Sequence, residues 1–121
     1  MRKILIATAD EATSTDLSNA LSQYEVHLCS TGSDALKLLE TLHPDILILD
    51  LMLPYMDGLT VLRKTKFRPH TILARTNLIT INVLRSATDI GVQDLLLIPC
   101  TTRYIVERLG ALTEKVPSPE M

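Results

Sequence analysis

Residues 45–58 read DILILDLMLPYMDG. Ile46, Leu47, Ile48 and Leu49 form an unbroken apolar run, the pattern of a strand covered on both faces. The run ends on a carboxylate, Asp50, and Pro54 and Gly58 follow in what reads as a loop. A structural strand can stop on almost any polar residue. An aspartate at the mouth of a buried strand costs desolvation unless something uses it.

The rest of the chain repeats the theme of short apolar runs alternating with amphipathic stretches. Ile4 to Ala7 reads as a first buried strand, and residues 12–22 place Leu17, Ala20 and Leu21 at helical spacing. Glu25 to Cys29 is a weaker strand. Ser33 is a candidate cap for a helix in which Ala35, Leu36, Leu39 and Leu42 share a face, and Pro44 stops it. After the loop, Leu59, Val61 and Leu62 mark a short helix. Residues 71–74 read as a fourth strand, 78–90 as a helix closed by Gly91, and 94–98 as a fifth strand. Thr101 or Thr102 caps a last helix carrying Ile105, Leu109 and Leu112. Five strands alternating with five helices predict one α/β domain, a doubly wound five-stranded parallel sheet, over residues 1–115. Residues 116–121 read as a flexible C-terminal tail. Function in such sheets gathers beyond the carboxyl ends of the strands, where Asp50, Thr8 to Glu11, Thr76 and Ile98-Pro99 fall.

Composition narrows the classes. The 121 residues suit one domain, and 46% hydrophobic content supplies a core built from Leu, Ile and Val, with one Phe and no Trp. A formal charge of −2 disfavours a nucleic-acid surface. No signal-like start and no run of bilayer-spanning length stand out, so the expectation is a cytoplasmic protein with no membrane partner. Cys29 and Cys100 read as reduced, buried thiols, and His27, His43 and His70 form no metal-ligand cluster.

The pattern resembles the receiver domain of bacterial two-component response regulators over Lys3 to about Glu114. DLMLPYMDG matches the segment that begins with that family's phosphoacceptor, and GVQDLLLIP matches its ending, with Gly91, Asp94 and Pro99 in place. The resemblance implies a flavodoxin-like sheet of order 2-1-3-4-5. It makes Asp50 the phosphoacceptor, Thr76 the hydroxyl that contacts the phosphoryl group, and Pro54 and Gly58 the loop, with glycine allowing a tight turn. It implies phosphorelay signalling with a histidine kinase or phosphotransfer protein as partner. A homodimer through the fourth helix, fifth strand and fifth helix is a further expectation, since Ile79, Ile81, Val83, Tyr104 and Val106 lie there. The chain would not be an enzyme in the usual sense. Its cofactor would be Mg²⁺, weakly held by Asp50, Asp10, Glu11 and Met52.

The sequence departs from the pattern where charge is handled. Thr8 and Ala9 stand in place of two acids, Leu95 in place of the aromatic switch residue, and Ile98 in place of the lysine. An ungapped reading gives Asp10 the third position; a one-residue bulge would instead bring Asp10 and Glu11 into the metal site. Arg75, at the end of a buried strand, needs a partner. It either snorkels outward or turns to the acidic pocket and supplies the missing cation, although strand alternation keeps it from facing the same way as Thr76. An alternative follows from these departures: a degenerate pseudo-receiver acting as a phosphorylation-independent interaction module. A flavin enzyme of similar topology is disfavoured, because TADEATS follows the first strand without a glycine loop.

Overall fold

The structure is a computed structural model and describes residues 1–113. Within them run β1 (Lys3–Ala7), α1 (Glu11–Ala20), β2 (Glu25–Cys29), α2 (Gly32–Leu42), β3 (Ile46–Asp50), α3 (Gly58–Lys64), β4 (Thr71–Thr76), α4 (Ile81–Ile90), β5 (Asp94–Leu97) and α5 (Thr102–Thr113). The strands are parallel in the order β2-β1-β3-β4-β5, as expected. The assigned tail, 116–121, lies outside the described residues.

Alternation along the strands divides the core in two. Leu5, Ala7, Leu47, Leu49, Ile72 and Ala74 face Ala35, Leu39, Val61 and Leu62 of α2 and α3. Ile4, Ile6, Ile46, Ile48, Leu73 and Leu96 face Leu17 and Leu21, at the α1 end, and Ile105 and Leu109 of α5. Both faces of β1, β3 and β4 are covered, which is why their sequences read as continuous apolar runs. Each fully buried Leu or Ile contributes roughly 1.5–3 kcal/mol relative to an exposed one.

Helix starts differ from the sequence reading by a few residues. Thr31, not Ser33, caps α2, accepting a hydrogen bond from the Asp34 amide at 3.1 Å. Asp10 caps α1, which begins one residue before the expected 12. The segment 78–80 is not helical: Thr80 caps α4 by accepting from the Val83 amide at 3.1 Å, and Leu78 and Ile79 belong to the preceding loop. Thr101 is the residue whose hydroxyl accepts from the Tyr104 amide at the α5 entry, settling the choice with Thr102. Gly91 closes α4 at φ 100°, a left-handed position that glycine adopts without cost. Asp94 at the start of β5 pairs with Arg108 of α5 at 2.6 Å and so ties the last helix to the sheet edge.

The loop after Asp50 is fixed by two close approaches. At Gly32, a Cβ would fall 1.7 Å from the Met56 carbonyl oxygen, and the Gly32 amide donates to the Pro54 carbonyl at 3.1 Å. Gly32→Ala must therefore push the β3–α3 loop off α2. The expected loss is about 2 kcal/mol, read by chemical denaturation, with the perturbation centred on residues 54–58.

Candidate functional site

Asp50 ends β3 with its side chain 12% exposed, at the crevice between the ends of β1, β3 and β4. Thr8 follows β1 directly, and its hydroxyl donates to Asp50 Oδ2 at 2.6 Å. The same hydroxyl accepts from the Asp10 amide at 3.1 Å, so the turn into α1 holds it in place. Thr8 thus meets the carboxylate directly.

Arg75 supplies the other contact. Its side chain is 4% exposed and its Nε lies 2.9 Å from Asp50 Oδ1. The N–H does not point along that line, so neither atom has a hydrogen-bond partner; the contact is a charge pair. Of the two positions left open for this arginine, the crevice is the one it occupies. The register explains it: Asp50 and Arg75 are direct neighbours across β3 and β4 and therefore face the same side. Thr76 is turned away by the same alternation. Its hydroxyl bonds locally to Leu78, accepting from the amide and donating to the carbonyl, both at 3.3 Å.

Burial pushes the Asp50 carboxyl above its ordinary value; the Thr8 hydrogen bond and the Arg75 charge pull it back in part, and Asp10 adds to the rise. Asp10 itself is exposed and held below its ordinary value, chiefly by the Thr13 hydroxyl. Its oxygens accept from the Ala12 amide at 3.2 Å and from Thr13 at 2.6 Å. Glu11, the first residue of α1, lines a different groove with Thr8, Ala9, Leu28 and Cys29. Met52 is 57% exposed in the turn after β3. Among the described residues no three His, Cys, Asp or Glu side chains gather as a metal site. A divalent ion asks for clustered oxygens with unspent charge. Here one carboxylate is paired with a guanidinium and the other caps a helix. The donor set does not fit Mg²⁺ well.

The remaining expected positions have plain structural roles. Gly58 is needed for close approach and not for a tight turn: a Cβ there would fall 2.8 Å from the Asp50 carbonyl oxygen and 2.9 Å from Leu51 Cα. The left-handed residue of the loop is Tyr55, at φ 68°. Pro54 offers its carbonyl to Gly32, as described. Leu95 is half-buried against the α2–α3 side of the core, and Ile98 donates its amide to the Thr76 carbonyl at 2.8 Å. Leu97, in the run read as core, is 53% exposed, while Leu96 is buried. Cys29 and Cys100 are unbridged and half-buried; burial, with Asp34 adding to it, pushes the Cys29 thiol up to about 12. Burial likewise pushes the Cys100 thiol above its ordinary value.

A five-stranded parallel sheet in this order, with an aspartate at the end of its central strand and the crevice built around it, defines a receiver-type signalling domain. The chain matches the response regulator receiver domain family over residues 4–110 and belongs to it. Among curated relatives it is 34% identical to the alkaline phosphatase synthesis transcriptional regulatory protein PhoP of Bacillus subtilis, with 99% of this chain and 53% of that protein covered. It is 30% identical to the response regulator MprA of a Mycobacterium species, with 98% and 53% covered. The chain thus spans about half the length of the curated relatives it matches. Among solved structures, the beryllofluoride-activated DrrB receiver domain is 25% identical with a TM-score of 0.81, covering 95% of this chain and 99% of that one. A CheY-like receiver from Methanospirillum hungatei shares the fold at a TM-score of 0.86 and 23% identity, with 95% of each chain covered. This is the receiver domain of a two-component response regulator.

Proposed function

We propose that this receiver accepts a phosphoryl group on Asp50 from a histidine kinase or phosphotransfer protein and relays the signal through protein contacts. The observation that carries the reading is the Asp50 carboxylate, set in the crevice with its side chain 12% exposed and flanked by a hydroxyl donor and a fixed cation. A carboxylate so placed attacks phosphorus while its neighbours balance the arriving charge. Thr76, whose hydroxyl is turned from the crevice onto Leu78 in this structure, breaks those bonds and rotates towards the phosphoryl group once Asp50 carries it. The chain acts as a signal acceptor and not as an enzyme turning over a separate substrate, and it works in the cytoplasm. No helix among the described residues is long and apolar enough to cross a membrane.

Ile79, Ile81, Leu97 and Tyr104 are exposed, and Val83 and Val106 are half-buried. This apolar face of α4, β5 and α5 is the surface for a partner or a second copy. With a net charge of −2 the chain itself does not contact nucleic acid. The test is incubation with acetyl phosphate and Mg²⁺ followed by intact-mass measurement and peptide mapping. The expected result is the mass of one phosphoryl group on the peptide containing Asp50; a phosphoryl group on any other residue rejects the reading.

A further inference from the structure

We propose that Arg75 is the cation of the phosphoryl site, so that its guanidinium, and not a divalent metal, neutralises the group placed on Asp50. The proposal rests on the reading of Asp50 as phosphoacceptor and adds the means by which this crevice carries the charge.

Arg75 is almost wholly buried, and Asp50 is its charge partner at 2.9 Å. A buried arginine is costly to keep unless its charge is used. Its Nε lies 2.9 Å from Asp50 Oδ1 with the N–H off that line and without a hydrogen-bond partner, which leaves a donor for an incoming oxygen. Guanidinium is the side chain best matched to phosphate, because its planar fork binds two oxygens at once. The site lacks the alternatives. Thr8 and Ala9 offer no carboxylate, Ile98 offers no ammonium, and Asp10 is spent on capping α1. A fixed positive charge against Asp50 also repels a divalent ion from the oxygen it would need.

In the step itself an Asp50 carboxylate oxygen attacks the phosphorus of acetyl phosphate. The oxygen–phosphorus bond forms, the bond from phosphorus to the acetate oxygen breaks, and acetate leaves with the electron pair. The product carries roughly two negative charges where the carboxylate carried one. Arg75 already stands beside that position and needs no recruitment from solvent.

The test compares wild type, Arg75→Gln and Arg75→Lys, incubated with acetyl phosphate in Mg²⁺ or in EDTA. Loading is read by intact mass, and beryllofluoride binding by NMR under the same conditions. Wild type is expected to load to a comparable extent with and without Mg²⁺. Arg75→Gln should lose on the order of tenfold or more in both, and Arg75→Lys should retain more than Arg75→Gln. If Arg75→Gln does not fold, the EDTA comparison on wild type and the Arg75→Lys arm still decide. Loading that collapses in EDTA, or that survives unchanged in Arg75→Gln, overturns the proposal while leaving Asp50 as acceptor. No loading by either reagent in any condition overturns both.

Discussion

Asp50→Asn is expected to bring phosphoryl loading down to background while the domain stays folded. An amide oxygen is too weak a nucleophile to attack phosphorus, yet Asn keeps the shape of Asp and can still accept the Thr8 hydrogen bond. The substitution also has a signature in pH. Burial raises the Asp50 carboxyl above its unfolded value, with Thr8 and Arg75 offsetting part of the rise. The folded state therefore holds its proton more tightly than the unfolded chain. The stability this gives is fully present below the unfolded value of about 3.9 and is lost as pH rises through the folded value. Asn has no such titration. The stability of Asp50→Asn relative to wild type should therefore climb over that window, as measured by urea denaturation across acidic to neutral pH. A difference that is flat with pH would show that Asp50 is not held above its unfolded value.

Arg75→Ala has the larger effect on the fold. It removes the guanidinium and leaves the carboxylate buried with Thr8 as its remaining partner. Breaking one side of a buried pair costs several kcal/mol; about 3 kcal/mol is expected here, because Asp50 can take up a proton instead of staying charged. That corresponds to a fall of roughly 10 °C in melting temperature for a domain of this size. The sign with pH follows. Without Arg75 the Asp50 carboxyl rises further, so the loss should be greater near pH 8 than near pH 5. Thermal melts at both values check it, and an unchanged melting temperature would mean that the pair contributes nothing to the fold.

The sheet was legible because its signal is coarse. Ile46 to Leu49 and Ile4 to Ala7 are apolar on both faces, and only a sheet covered by helices on both sides asks for that. Helix starts were less legible: Thr31 and Ser33 differ only in which backbone amide the side-chain oxygen reaches, and the apolar pattern that begins at Leu78 runs two residues ahead of the Thr80 cap. Gly58 was found for a different reason from the one that keeps it: the crowding against Asp50 and Leu51 is tertiary and leaves no mark in the sequence.

Arg75 is the instructive case. Alternation along β4 correctly separated it from Thr76, but alternation within one strand cannot say which of the two faces Asp50. That depends on register with β3, where Asp50 and Arg75 are paired. The sequence did carry the possibility: an arginine at the end of an otherwise apolar strand, in a chain whose lysine position holds Ile98, was one of the two placements left open for it.

The Arg75 guanidinium is the electrostatic partner of Asp50. The most direct measurement is a carbon-13 NMR titration of the Asp50 carboxyl in wild type and Arg75→Gln. A higher midpoint in Arg75→Gln is expected, because the carboxylate loses its neighbouring positive charge. The same midpoint in both proteins would contradict it.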